Sequence, residues 1–329
     1  MSALLIPALA LFAGFVVLSL SADRLIASAA TLARHFNVSL VFIGMTVVAF
    51  GTSAPELLVS AVAALNGAEG LSVGNGIGSN IINVGLVLGA CALMTPLMVH
   101  RRFVRREFPI LVAAMILCAV LMANGELAGW DGAVLLLGLM VYVGYLARSV
   151  KNGDAEPEEL EFLSISKGRA LVESLLMLAL LLASSQLMVW GAVELARAAG
   201  ISELVIGLTV IAFGTSLPEL AAALAGVRRG MHDIAFATVI GSNIFNLLGV
   251  IAFPALLGDG LQLPAEVIQR DLPAMGLLTA AMGAMFLMAN TPSAESSGGN
   301  NLVLHRRGGV VLLILFVAYL WQLGTAMAV

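Results

Sequence analysis

The chain carries one polar motif twice, and this duplication restricts its possible folds more than any other feature. The stretch GMTVVAFGTSAPELL begins at Gly44, and GLTVIAFGTSLPELA begins at Gly207, with eleven of fifteen positions identical. The same offset of 163 residues relates GIGSNIINVGLVL from Gly76 to VIGSNIFNLLGVI from Val239. The chain is therefore internally duplicated, and the polar residues that both copies contain are its candidate functional residues.

The sequence around these motifs is that of an integral membrane protein. Apolar residues make up 60% of the 329 residues and charged residues only 11%, whereas about a quarter of a soluble domain is charged. Apolar runs of about 20 residues can each cross a membrane as a helix, and the alternation typical of a membrane barrel is missing. We predict an all-α membrane protein with ten spans, centred near Ala13, Ala49, Asn83, Met115, Met140, Leu180, Thr215, Asn246, Ala281 and Leu315.

The distribution of basic residues predicts the topology. Alternate connections hold 13 of the 16 lysines and arginines, which places those connections in the cytoplasm and both termini on the other side. Five spans separate each motif from its copy, so the two copies cross the membrane in opposite directions, as in many secondary transporters. We predict two inverted five-helix repeats, 1–150 and 169–329, joined by a short acidic cytoplasmic loop, 151–168.

Glu56 and Glu219 are the only carboxylates near the centre of any predicted span, and they occupy equivalent positions of the two copies. A charge at the centre of a membrane helix costs about 2.5–3.5 kcal/mol on insertion scales and usually faces the protein interior. A purely structural role would need a basic partner, and no Lys, Arg or His lies at comparable depth. We interpret both glutamates as functional.

Each glutamate belongs to a group of oxygen-bearing residues. Thr52 lies four residues before Glu56 and therefore on the same helical face, and Pro55 lacks an N–H and releases carbonyls of the preceding turn. Ser79 and Asn83 again share a face, and the second copy repeats both arrangements. Oxygen ligands suit hard cations such as calcium, whereas soft transition metals favour Cys or His. We predict an alkali or alkaline-earth cation site; a kink stabilised by Thr or Ser back-bonding is the alternative.

The motifs GTSAPE and GTSLPE, each followed by GSNIxN, resemble the two alpha repeats of the cation/calcium exchanger superfamily. They are most similar to those of prokaryotic sodium/calcium exchangers. The resemblance implies alternating access at a central midplane site, with one calcium exchanged for about three sodium ions. It also implies matching cation ligands in the two copies: Thr52, Ser53, Glu56, Ser79, Asn83 and the carbonyl of Ala49 in the first, and Thr215, Ser216, Glu219, Ser242, Asn246 and the carbonyl of Ala212 in the second.

Two local features refine this expectation. Asn246 stands where some members, including potassium-dependent ones, carry Asp, so the resemblance predicts no potassium requirement. The proton/calcium branch of the superfamily typically carries a GN-type motif before its glutamate, so the Thr-Ser pair makes the resemblance favour sodium over protons as the coupling ion. With Glu56 and Glu219 ionised, calcium neutralises the site whereas three sodium ions leave it at +1, so exchange is predicted to be electrogenic.

Other functions are compatible with parts of this pattern. A proton-coupled calcium or cation exchanger, in which the two glutamates titrate, is the closest alternative. An ion channel could use the same oxygens as a filter, although inverted motifs fit alternating access better. An intramembrane enzyme is disfavoured, because the chain has no HExxH and no His near a span-centre Ser. We predict a multi-pass plasma-membrane transporter that contacts lipid, calcium and sodium, with no other cofactor and no nucleic-acid partner.

Overall fold

The computed structural model describes residues 2–65, 69–149, 163–200, 212–257, 261–288 and 301–327. It comprises two compact units, and each unit takes one part from each half of the chain. The first unit contains Met1–Pro55 and Ser149–Thr238, and the second contains Glu56–Arg148 and Val239–Val329. Each unit therefore contains residues of both predicted repeats, 1–150 and 169–329. The repeats are defined by sequence similarity, whereas the units are defined by contacts. Most of the predicted acidic loop lies outside the described residues.

The described residues are mostly helical. The α-helices are α1 (Ser2–Phe36), α2 (Leu40–Ile43), α3 (Ala49–Thr52), α4 (Ala54–Leu65), α5 (Glu69–Ile82), α6 (Gly89–Met94), α7 (Arg101–Met122), α8 (Gly129–Ser149), α9 (Lys167–Ala198), α10 (Ala212–Thr215), α11 (Leu217–Arg228), α12 (His232–Phe245), α13 (Ala252–Leu257), α14 (Leu272–Met288) and α15 (Arg306–Met327). Wider π-helical turns occupy π1 (Gly44–Val48), π2 (Asn83–Leu88), π3 (Asn246–Val250) and π4 (Val267–Asp271).

The helical membrane architecture is confirmed, whereas the count of ten spans is not tested by the described residues alone. Among the described residues, seven helices are long and apolar enough to cross a membrane, or eight if Leu40–Thr52 and Ala54–Leu65, bent by 40°, form one span. The predicted fourth span corresponds to α7, whose first two turns are rich in arginine. The predicted seventh span includes 201–211, which lie outside the described residues. The number ten and the orientation of the termini stay predictions.

Two short antiparallel strand pairs add to the predicted helices. Strand β1 (Leu97–His100) pairs with β4 (Asn301–Leu304), and β2 (Glu126–Leu127) pairs with β3 (Leu261–Gln262). Each pair joins a connection of the first repeat to a connection of the second. Backbone groups at the ends of spans need hydrogen-bond partners, and these extended connections satisfy one another. A helix-based reading of the sequence does not reveal such pairings.

The first unit is built around a long helix pair. Helices α1 and α9 run antiparallel, with the Ser174 hydroxyl donating to the Ser28 hydroxyl at 3.0 Å near one end of the contact. Near the other end, a Cβ added at Gly191 would lie 2.6 Å from the carbonyl oxygen of Pro7. Glycine therefore lets the two backbones touch at this point, as small residues do between membrane helices.

Gly191→Ala is expected to destabilise the protein by about 1–3 kcal/mol, because the new methyl group collides with backbone atoms that cannot rotate away. The measurement is the midpoint of thermal unfolding in detergent. Gly168→Ala on the same helix is the matched control, since a Cβ at Gly168 meets nothing within 4 Å. Equal midpoints for the two variants would contradict the close contact at Gly191.

In the second unit, the equivalent motif segments of the two repeats cross antiparallel. Asn83 on π2 contacts Asn243 on α12, while Asn80 on α5 contacts Asn246 on π3. Residues earlier in one segment therefore meet residues later in the other. A Cβ added at Gly76 would lie 2.7 Å from Cγ1 of Ile251, so this glycine also permits a close approach of helices.

A second duplicated feature of this unit is a pair of buried carboxylates, each bound by a tyrosine. The Tyr145 hydroxyl donates to Oε1 of Glu107, and the Tyr319 hydroxyl donates to Oδ1 of Asp271, both at 3.1 Å. The carboxylates start similar sequences, Glu-Phe-Pro and Asp-Leu-Pro, each preceded by an arginine. They lie near the ends of their spans rather than near the centres, so the sequence pattern did not indicate them as candidates. Arg270 also donates to both oxygens of Asp271.

Tyr145→Phe and Tyr319→Phe are each expected to lower the free energy of unfolding by about 1.5–3 kcal/mol, the usual contribution of a hydrogen bond to a charged group. Thermal unfolding in detergent measures the effect. Trp321→Phe, at an exposed position near Tyr319 in the sequence, is the control for an aromatic substitution outside the buried contacts. If the tyrosine variants unfold like this control, the two hydrogen bonds contribute nothing to stability.

Candidate cation-binding residues

Both copies of the GTSxPE motif interrupt a helix at the serine. Ser53 lies between α3 and α4 with φ −80° and ψ 1°, and Ser216 lies between α10 and α11 with φ −88° and ψ 3°. The proline two residues later cannot donate to the preceding turn. The kink predicted from Pro55 and Pro218 is therefore present, and it places a threonine, a serine and a glutamate within one short stretch in each copy.

The first unit brings two of the predicted ligands from opposite repeats into contact. The Ser53 hydroxyl donates to Oε1 of Glu219 at 3.3 Å, and both residues are buried. Thr215 and Ser216 are also buried, about one turn before Glu219 on the same stretch. The Ser216 hydroxyl oxygen has no hydrogen-bond partner within the described part of the chain. This group of oxygens has the composition of a hard-cation site.

The carbonyls near the kinks accept hydrogen bonds, and that of Ala49 keeps its helical N–H partner. The carbonyl of Ala49 accepts from the Ser53 N–H at 3.0 Å and from the Thr52 hydroxyl at 3.3 Å. The carbonyl of Gly214 accepts from the Ser185 hydroxyl at 2.9 Å. Back-bonding by a hydroxyl thus occurs in the first kink. Ala212, the other predicted carbonyl ligand, begins α10 directly after the gap in the described residues.

In the second unit, Glu56 is buried with only 1% of its surface exposed. The Asn75 side chain donates to the carbonyl oxygen of Glu56 at 3.1 Å and to the Ser60 hydroxyl at 3.0 Å. It therefore ties α5 to the first turn of α4, which carries the glutamate. Sequence reasoning missed Asn75, because the second copy has Thr238 at the equivalent position and only residues present in both copies were candidates.

The predicted ligands Asn83 and Asn246 are the first residues of π2 and π3. Isolated π-helical turns are frequent at functional sites. Both asparagines are fully buried, and the side-chain carbonyl oxygen of each has no hydrogen-bond partner among the described residues. Ser79 and Ser242, the remaining predicted ligands, are buried one turn earlier. Buried carbonyl oxygens without a donor are costly, and a hard cation is one ligand that oxygen atoms of this kind can bind.

The amide nitrogens of these two asparagines are fixed by two residues that sequence reasoning did not select. The Asn83 amide donates to Oδ1 of Asn243 at 3.0 Å, and the Asn246 amide donates to Oδ1 of Asn80 at 3.4 Å. Asn80 and Asn243 are equivalent positions of the two GSNIxN motifs. Their presence in both copies was the available signal, but sequence alone cannot tell which asparagine of each motif faces a cation.

The candidate residues thus form two groups of oxygen donors. The first unit holds Glu219 with Ser53, Thr215 and Ser216, and the second holds Glu56 with the asparagine pairs. Glutamate, hydroxyl and amide oxygens can replace the hydration shell of calcium or sodium. That both glutamates serve one ion stays a prediction.

Comparison with known proteins agrees with this chemistry. The family model described as "Sodium/calcium exchanger protein" matches residues 6–148 and 170–324. The chain is 40% identical to the putative antiporter CaxA of Alkalimonas amylolytica, over 97% of this chain and 99% of that protein. It is 36% identical to the inner membrane protein YrbG of Escherichia coli, over 93% and 95% of the two chains. A solved structure of the sodium-calcium exchanger NCX_Mj superposes with a TM-score of 0.82 at 34% identity, covering 97% of this chain and 99% of the other.

Proposed function

The chain belongs to the sodium/calcium exchanger family, and from this premise we propose that it exchanges calcium for sodium across the plasma membrane by alternating access. It is a multi-pass integral membrane protein and a transporter rather than an enzyme. The observation that most supports a cation as substrate is a set of buried oxygens that have no hydrogen-bond partner within the described ranges, on Ser216, Asn83 and Asn246. The similarity to the sodium-calcium exchanger NCX_Mj supports sodium and calcium as the ions.

In this proposal, Glu56 and Glu219 bind calcium jointly, and their two negative charges balance its charge. Thr52, Ser53, Thr215 and Ser216, with the carbonyls of Ala49 and Ala212, complete flanking sodium sites. Ser79, Asn83, Ser242 and Asn246 add neutral oxygens. The contact between Ser53 and Glu219 supports this assignment, because it joins a hydroxyl of one repeat to a carboxylate of the other.

Alternating access follows from the duplication in this proposal. Two copies of one motif, threaded in opposite directions, can present the same ligands to either side of the membrane. The antiparallel crossing of the two GSNIxN segments supports such a relation. Because Asn246 is a neutral amide, the proposed site lacks a third carboxylate, and exchange needs no potassium.

The deciding experiment is calcium-45 uptake into proteoliposomes that contain the purified full-length chain. Sodium-loaded vesicles diluted into sodium-free medium are expected to accumulate calcium, and added potassium is expected to leave the rate unchanged. Vesicles with a pH gradient and no sodium are the parallel arm. Uptake driven by the pH gradient alone would replace sodium by protons as the coupling ion, and uptake without any gradient at rates far above carrier turnover would indicate a channel.

A further inference from the structure

The hydrogen bonds between the asparagine pairs determine which end of each predicted ligand amide is available to a cation. A primary amide has a donor end and an acceptor end of similar shape. In the structure, the donor ends of Asn83 and Asn246 face the side-chain oxygens of Asn243 and Asn80. The acceptor ends therefore turn away from these partners, and neither oxygen has a hydrogen-bond donor in the part of the chain that the structure describes.

We propose that Asn80 and Asn243 are positioning residues, which hold the amide oxygens of Asn246 and Asn83 in the orientation that binds a cation. If the amide of Asn83 or Asn246 rotated by half a turn, its oxygen would face the oxygen of its partner asparagine. Its NH2 group would then point toward the positive ion. Both effects disfavour the reversed state in a buried site, where unpaired polar groups are costly. The inference rests on the proposed function and adds to it a mechanism for orienting the ligands.

The arrangement is reciprocal between the repeats. Asn80 precedes Asn83 by three residues on one segment, and Asn243 precedes Asn246 by three residues on the other. Each segment thus supplies one ligand asparagine and one asparagine that orients the ligand of the other copy. The bonds differ in length, 3.0 Å for Asn83 and 3.4 Å for Asn246, so we assign the firmer orientation to Asn83.

The test uses variants that separate hydrogen bonding from packing. Asn80→Leu keeps the approximate volume and removes the acceptor, whereas Asn80→Asp keeps an acceptor oxygen for the Asn246 amide. Calcium affinity is measured at equilibrium on the purified full-length protein by calcium-45 binding. Asn80→Leu is expected to raise Kd about 5- to 10-fold, the factor of one neutral hydrogen bond, and Asn80→Asp is expected not to raise it.

A double-mutant cycle with Asn246→Asp gives the readout that a structural role would not produce. A carboxylate presents oxygen whichever way it is turned, so it needs no orienting partner. In this background, Asn80→Leu is expected to change Kd less than about twofold, because the interaction energy of the pair has been removed. An unchanged 5- to 10-fold effect in this background, or no effect on the parent chain, would overturn the inference.

Three further arms keep the result interpretable. The mirror cycle, Asn243→Leu with Asn83→Asp, tests the same claim if Asn80→Leu does not fold, as judged by thermal unfolding.

Thr238→Val removes a buried hydroxyl from the helix that carries Asn243, and it is expected to leave Kd unchanged. A shift in Kd as large as that of Asn80→Leu would point to general packing and reject the assignment. If the parent chain binds no calcium, the proposed function fails, whereas normal binding that is insensitive to Asn80 and Asn243 defeats only this inference.

Discussion

Replacing Glu56 or Glu219 by glutamine is expected to abolish sodium-driven calcium uptake, with a loss of at least about 100-fold. Each substitution keeps the size of a buried side chain and removes one of the two negative charges proposed to neutralise calcium. Two unit charges about 4 Å apart interact by about 4 kcal/mol at an effective dielectric constant of about 20. Every 1.4 kcal/mol is about a factor of ten in affinity, so the lost attraction exceeds what the remaining oxygens can offset. Calcium-45 uptake into sodium-loaded proteoliposomes measures the loss.

Glu194→Gln is the matched control for these two variants. Glu194 is a partly exposed glutamate on α9, paired with Arg197 at 2.9 Å, and surface pairs of this kind contribute little. Uptake by the control is expected to equal that of the parent chain, and thermal unfolding in detergent establishes that all three variants are folded. Normal exchange by either Glu56→Gln or Glu219→Gln would remove that residue from the proposed calcium site.

The membrane potential is expected to shift the calcium gradient at equilibrium about 50-fold per 100 mV. The value follows from one net charge moved per cycle, about 2.3 kcal/mol per 100 mV, when three sodium ions exchange for one calcium. An inside-negative potential favours sodium entry coupled to calcium extrusion, since the net positive charge then moves inward. The measurement uses proteoliposomes clamped with potassium and valinomycin at several potentials, with the sodium gradient held constant.

The sign and size of this voltage effect discriminate among coupling schemes. Protein-free vesicles at the same potentials provide the leak that must be subtracted. A gradient that does not respond to potential would mean that two monovalent cations replace each calcium, and the assignment of a third sodium to the hydroxyl and carbonyl ligands would then be wrong. A response of opposite sign would mean that calcium carries more charge across than its exchange partners.

The sequence predicted those parts of the fold in which a single type of residue has the same structural effect wherever it occurs. Pro55 and Pro218 cannot donate to the preceding turn, so the helix breaks at Ser53 and Ser216 followed directly from their positions. The burial of Glu56 and Glu219 followed from the cost of a charge in lipid. The length of helix α1 was less predictable. Arg24 marks the apparent end of an apolar run, but in the structure it pairs with Glu173 of α9. The helix therefore continues past Arg24 to Phe36.

Features that depend on a partner distant in sequence could not be predicted. Asn80 and Asn83 are both asparagines of one motif, and the motif does not distinguish them. The crossing segment does, because the Asn83 amide donates to Asn243 whereas the Asn80 oxygen accepts from Asn246. The π-helical turns at Asn83 and Asn246 do not change the hydrophobic periodicity of the sequence in a recognisable way. Strand β1 finds its partner about 200 residues later, at β4, and nothing local in either strand specifies the other.

The composition of the two compact units has an evolutionary consequence. Helix α1 packs on α9, β1 pairs with β4, and the segment around Asn83 contacts the segment around Asn243, so in each case one repeat supplies a surface that the other completes. A chain holding a single repeat would lack half of each unit. A chain of that length would need a second copy to complete both units, so duplication and fusion of one gene turns contacts between molecules into contacts within one.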